Sequence, residues 1–153
     1  MLQRLLVHKN VRGSGLELAQ GNIVSCARRG ISVIQGNIDD GLAYLPDQSF
    51  DFVILSMTLQ VVEKPEFVLN EMRRVGKKCL VSFPNFAFWK VRAKMLLKGK
   101  APVTAALPYS WHNTPNRHSL SIRDFREFCR HRNIQVEREI PLTTRGMRGW
   151  AHA

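Results

Sequence analysis

Few side chains in this 153-residue sequence stand where chemistry could be done. Glu17 follows Gly13 and Gly15 near the end of a short apolar segment. Asn37, Asp39 and Asp40 share the polar loop Gly36-Asn37-Ile38-Asp39-Asp40-Gly41, and Ser56 closes the apolar run Phe52-Val53-Ile54-Leu55. His112 and His118 lie in a stretch rich in proline and aromatic residues, and either imidazole is a candidate base near neutral pH. The plainer roles are a surface carboxylate beside a glycine turn for Glu17, and solvated or capping groups for the histidines. Cys26, Cys79 and Cys129 are an odd number and far apart, which argues against a disulfide framework or a metal site. Cys79 and Cys129 sit in apolar patterns. Both are expected to be buried free thiols, in keeping with a reducing cytoplasm.

The elements that must position these groups are organised around residues 49–85. The unalternating run at 52–55 has the pattern of a strand covered on both faces. Pro65 suits the first turn of a helix. Val68, Leu69, Met72 and Val75 recur at helical spacing, and Gly76 stands where a left-handed C-cap is wanted. Residues 79–83 make a second buried strand. Strand, helix, strand is a βαβ unit with parallel strands and a right-handed crossover. Ligands of such sheets bind beyond the carboxyl ends of the strands, so residues 56–61 and 83–89 are the first places to look.

Before this unit the sequence predicts the end of a helix over 1–8, a short strand over 11–18, a helix over 20–29 stopped by Gly30, and a strand over 31–34. After it come a helix over 86–98 stopped by Gly99, and a long connection at 100–118 that reads as an ordered lid. Apolar residues run round most of the 86–98 helix, so it should pack against more than one surface. Ser121 and Asp124 form a capping-box pattern that opens a helix over 122–132. Alternation at 134–140 predicts a half-exposed strand. The class is α/β, doubly wound and mostly parallel. One domain is expected over 1–153, with cofactor-side βα units at 1–83, a lid at 84–118 and a C-terminal helix and strand at 119–153.

Charge is uneven. The formal net charge is +11. Residues 1–71 carry 6 Lys/Arg and 8 Asp/Glu, whereas residues 72–153 carry 17 and 4. That asymmetry points to an acidic partner or ligand, against the plainer reading of basic side chains solvated on helix faces. No apolar run is long enough to span a membrane. Residues 1–7 lack a signal-peptide pattern, so a cytoplasmic location is expected.

With those elements in place the chain resembles the class I S-adenosylmethionine-dependent methyltransferases, and more narrowly the methionine biosynthesis protein MetW family. The resemblance covers roughly residues 9–140. It is carried by GLEL (15–18), GISVIQGNIDDGL (30–42), FDFVILSMTLQVV (50–62), VGKKCLVSFPNFAFWKVR (75–92), PVTAALPYSWHNTPNRH (102–118) and SIRDFREFC (121–129). It implies a Rossmann-like fold with S-adenosylmethionine as cofactor. By residue, it implies Glu17 at the ribose hydroxyls, Asn37 and Ile38 at the adenine, with Asp39 as a substitute carboxylate, and Ser56 at the methionine half. It implies a homoserine O-acyltransferase, of acetyl or succinyl type, as partner. Asn85, Trp89, Arg92, Tyr109, Trp111 and His118 are the expected substrate or partner surface. The sequence departs from that pattern in having no D-x-G-C-G-type glycine loop. The expectation is a shortened copy of the fold that starts inside the first helix, lacks the central first strand, and has no clear final strand.

Three functions compete at this level. A MetW-type protein would support the acyltransferase without needing to be competent in catalysis alone. An active methyltransferase on a small molecule or nucleic acid needs bound cofactor and an aligned nucleophile, but Pro84 does not complete the N/D-P-P-Y motif of base methylation. A non-catalytic nucleic-acid-binding module would use the basic residues between Arg73 and Lys100, yet no helix-turn-helix, RNA-recognition or zinc signature is present. Nucleic acid is therefore the least favoured partner.

Overall fold

In a computed structural model of the chain, residues 2–9, 11–101, 103–104 and 107–142 are described. The helices are α1 (Leu2–Lys9), α2 (Gln20–Arg28), α3 (Pro65–Val75), α4 (Trp89–Lys98) and α5 (Ile122–His131). The strands are β1 (Gly15–Glu17), β2 (Val33–Gln35), β3 (Phe50–Ser56) and β4 (Gly76–Ser82). A 3-10 turn, Ile38–Asp40, follows β2. The strands pair in parallel, as expected, but as two separate pairs, β1 with β2 and β3 with β4, not as one continuous sheet.

The core lies on one side of the second pair. Leu55, Leu59, Val62, Val68, Leu69 and Met72 form one buried cluster, joined by Val53, Val81, Phe83, Phe125 and Phe128. The helical spacing of α3 works as read: Pro65 stands in the first turn and all four predicted apolar positions are buried. The capping box of α5 is complete, with the Ser121 hydroxyl accepting from the Asp124 N–H and the Asp124 carboxylate accepting from the Ser121 N–H. Phe125 and Phe128 of α5 close the core over Phe83, whose ring centroid lies 5.0 Å from that of Phe125.

Several expectations need correction. The β3–β4 pair is covered on one face only. Val53, Leu55 and Val81 face α3, while Phe52, Ile54 and Leu80 on the other face are exposed. Gly76 is not left-handed: its backbone is extended, at φ −112° and ψ 139°, and α3 passes straight into β4. It is glycine for want of space, since a Cβ there would stand 2.5 Å from the Val53 Cγ2. Gly30 and Gly99 do take positive φ and stop their helices as predicted. Cys129 is buried but Cys79, in register with Val53 on β3, is exposed.

Helix α4 starts only at Trp89 and buries a single residue, Val91, so it packs on one surface. Residues 134–140 form no strand. The alternating side chains meet cations in place of a backbone ladder, with Glu137 on Lys78 and Glu139 on Arg126. Residues 102, 105 and 106 of the lid region and residues 143–153 of the C-terminal region lie outside the described residues.

Candidate functional site

The segments that follow the carboxyl ends of β2 and β3 are in contact. The Asp39 carboxylate, in the turn after β2, accepts from the Glu63 and Lys64 N–H groups between β3 and α3, at 2.9–3.0 Å. This clasp brings the loop of the first pair onto the loop of the second. The anion also lies at the positive end of α3, where a helix favours it.

Glu17 and Asn37 are brought together at the end of the first pair. Glu17 is in register with Gln35, and the Gly36 N–H donates to the Glu17 carbonyl at 3.1 Å. One carboxylate oxygen of Glu17 accepts from the Ala19 N–H at 2.9 Å, which leaves the other without a partner among the described residues. The Asn37 side-chain oxygen is turned into its own backbone, accepting from the Asp39 N–H at 3.1 Å. Ile38 is half-buried against the core. Ser56 ends β3 opposite Ser82, and is exposed.

The loop after β3 carries strain and an unusual polar group. Met57 holds a positive φ of 53°, a costly conformation for a non-glycine residue. Its N–H donates to the Ser82 carbonyl and hydroxyl at 2.9 and 3.1 Å, which fixes it. Gln60 is buried; its amide donates to the Met57 carbonyl, and its side-chain oxygen has no partner among the described residues. The only sign of Gln60 in the sequence was one amide between Leu59 and Val61 in an apolar run, and residue type alone does not reveal it.

His118 is drawn into this loop as a clamp. Its Nε2–H donates to the Val62 carbonyl at 2.9 Å, and the Arg117 and His118 N–H groups donate to the Gln60 carbonyl. Asn85 accepts from the Ala87 N–H in a local turn. Trp89, Tyr109 and Trp111 are exposed, with the Lys90 ammonium 5.4 Å from the Trp89 ring centroid and His112 edge-on to Trp111. Arg92 is exposed too. These aromatic side chains stand outward.

The residues fit only part of the cofactor implied by the resemblance. The other oxygen of Glu17 suits a ribose hydroxyl. The adenine amine needs an acceptor, but both oxygens of Asp39 are held in the clasp and the oxygen of Asn37 is held in its turn. Gly13 and Gly15 do not open a cradle, since a Cβ on Gly13 would meet the Leu2 Cδ1 of α1 at 3.2 Å. The described residues do not make a complete S-adenosylmethionine site. No helix among them is long and apolar enough to cross a membrane.

Comparison with known proteins agrees with this partial likeness. The model of one protein family, described as "Methionine biosynthesis protein MetW", matches residues 1–153. A bifunctional methionine biosynthesis protein MetXA/MetW of Rhodopirellula baltica is 41% identical over 127 residues, which is 82% of this chain and 20% of that protein. The chain thus spans about a fifth of that relative. Among solved structures, a SAM-dependent methyltransferase of Thermotoga maritima matches with a TM-score of 0.56 and 23% identity, over 76% of this chain and 52% of that one. The structural match establishes a methyltransferase-like, Rossmann-type α/β fold, here with its strands in two parallel pairs.

Proposed function

The chain belongs to the methionine biosynthesis protein MetW family, and from that premise we propose that it works as a cytoplasmic accessory protein of a homoserine O-acyltransferase. The observation that carries the reading is the bifunctional relative, in which a MetXA and a MetW part share one polypeptide. Joining two parts in one chain raises their effective concentration, a gain only where the parts act together. The outward aromatic and cationic residues Trp89, Arg92, Tyr109 and Trp111 suit a protein surface, since large aromatics and Arg dominate interface energetics.

The test is reconstitution. The acyltransferase of the same organism is assayed with acetyl-CoA and with succinyl-CoA, with and without this protein, and the two are co-purified. A stable complex with a raised acyl-transfer rate or a more soluble acyltransferase supports the reading. No complex, with rate and solubility unchanged, overturns it.

A second reading, methyl transfer by this domain, is favoured by one feature, the second carboxylate oxygen of Glu17 at the carboxyl end of β1. Calorimetric titration with S-adenosylmethionine decides it. Saturable binding that Glu17→Ala weakens would favour methyl transfer; absence of binding at millimolar cofactor would remove it.

A further inference from the structure

Helix α4 carries an apolar stripe on the side away from the protein. At about 100° per residue, Trp89, Ala93, Leu96 and Leu97 fall within one arc of about 100°. Val91, the one buried residue of the helix, lies on the opposite side. Trp89, Leu96 and Leu97 are 64, 87 and 83% exposed. Such spacing (i, i+4, i+7, i+8) is how an amphipathic helix fills a groove on another protein. Here the helix is already folded and held at its back by Val91, and the left-handed Gly99 ends it. Little ordering cost remains for binding.

Charge gives the partner's chemistry. Arg92 borders the stripe on one side and Lys90 on the other, followed by Lys94 and Lys98. Between Glu71 and Asp124 the sequence holds eleven Lys or Arg and no Asp or Glu. No ion pair engages Lys90, Arg92, Lys94 or Lys98 among the described residues. The complement is an apolar groove rimmed by carboxylates. A Trp and an Arg beside a small notch at Ala93 suit a shaped protein groove better than a fluid surface, because hot spots are large side chains seated in fitted pockets.

We propose that the outward face of α4 is the element that docks into an acid-rimmed apolar groove on the homoserine O-acyltransferase. The identity of that partner rests on the function proposed above; the face and its chemistry rest on α4 itself.

The experiment measures binding of the full chain to the purified acyltransferase by calorimetry, for the wild type, Leu96→Glu, Leu97→Glu, Lys90→Gln with Arg92→Gln, and Val7→Glu. Circular dichroism and thermal unfolding confirm that each variant is folded, as expected for such exposed positions. Each Leu→Glu change is expected to weaken binding about 30-fold or more, as loss of a hot spot does. Wild-type affinity should fall as salt is raised from low to physiological strength, with a flatter dependence in the Lys90→Gln, Arg92→Gln variant. Val7→Glu, an equally exposed position on α1, should bind nearly as the wild type does. Wild-type binding left intact by Leu96→Glu and Leu97→Glu overturns the inference while the proposed function stands. Absence of wild-type binding overturns both. Stripe-dependent binding to phosphatidylserine vesicles or to a second copy of the chain, with none to the acyltransferase, likewise overturns it.

Discussion

At the scale of single residues, one acidic side chain that looked like a substitute ligand contact, Asp39, is holding a loop. Asp39 joins the two halves through the Glu63 and Lys64 N–H groups. Asp39→Ala leaves those donors at the start of α3 without their anion and should cost about 1–2 kcal/mol, as loss of a helix cap does. Asp39→Asn, which keeps an acceptor, should cost less; urea unfolding of the two variants checks the order. Glu71 holds a second latch. It accepts from the Leu42 N–H and pairs with Arg74, which also donates to the Leu42 and Leu45 carbonyls and to Asp47. The bond from Arg74, aided by that from Leu42, holds the Glu71 carboxyl down at about 2, against an ordinary 4.5. On acidification the unfolded chain therefore takes up this proton first. The stability Glu71 contributes is complete above pH 4.5 and is lost as the pH falls toward 2. The urea midpoint should drop across that window, and drop less steeply in Glu71→Gln. Asp51, Asp124 and Glu139 are also lowered, by Lys77, Ser121 and Arg126, so part of the fall remains. An identical profile in Glu71→Gln would refute the latch.

At the scale of elements, the crossing of α3 into β4 depends on Gly76. A methyl there would press on Val53 from the paired strand, and Val is stiff about χ1 and cannot turn aside. Gly76→Ala should destabilise by about 1–3 kcal/mol, the usual penalty of overpacking. The double variant Gly76→Ala, Val53→Ala should recover part of that loss, with a coupling of at least about 0.5 kcal/mol in a double-mutant cycle. Strict additivity would mean that the two residues do not compete for space. Gly76 also shows what the sequence could and could not convey. A glycine after an amphipathic run reads as a left-handed cap because that is its commonest use; the reason here is a contact 23 positions away, which local pattern does not carry. The four buried positions of α3 and the Ser121–Asp124 box were legible because each is set by spacing within one helix. Residues 134–140 were misread because alternation specifies a strand only where a free sheet edge is present to pair with it. Glu17 and Asn37 were correctly brought to adjacent strand ends by the βα pattern. Whether their oxygens are free depends on hydrogen bonds that residue type does not fix.

At the scale of the whole molecule, stability is concentrated in one part of the chain. Helices α1 and α2 bury no residue, and β1 and β2 are three residues each with none buried. Among the described residues, every buried apolar one lies from Leu42 to Cys129, with Val68, Met72 and Val75 the most enclosed. Hydrophobic burial is the main favourable term in folding, so the segment from β1 to β2 can open while the β3–α3–β4 core stays closed. Native-state hydrogen exchange should then find low protection for the amides of residues 15–35. Those of Val53–Leu55, the second half of α3 and Leu80–Ser82 should exchange only through global unfolding. Mutation separates the two openings. Met72→Ala, at a site 1% exposed, should cost about 2–5 kcal/mol and speed exchange in the core. Leu16→Ala, which removes the side chain packed over Gly36, should speed exchange only from 15 to 35. Equal exchange free energies and equal denaturant slopes in the two regions would show one cooperative unit, and would mean that the Asp39 clasp couples the pairs more strongly than their burial indicates.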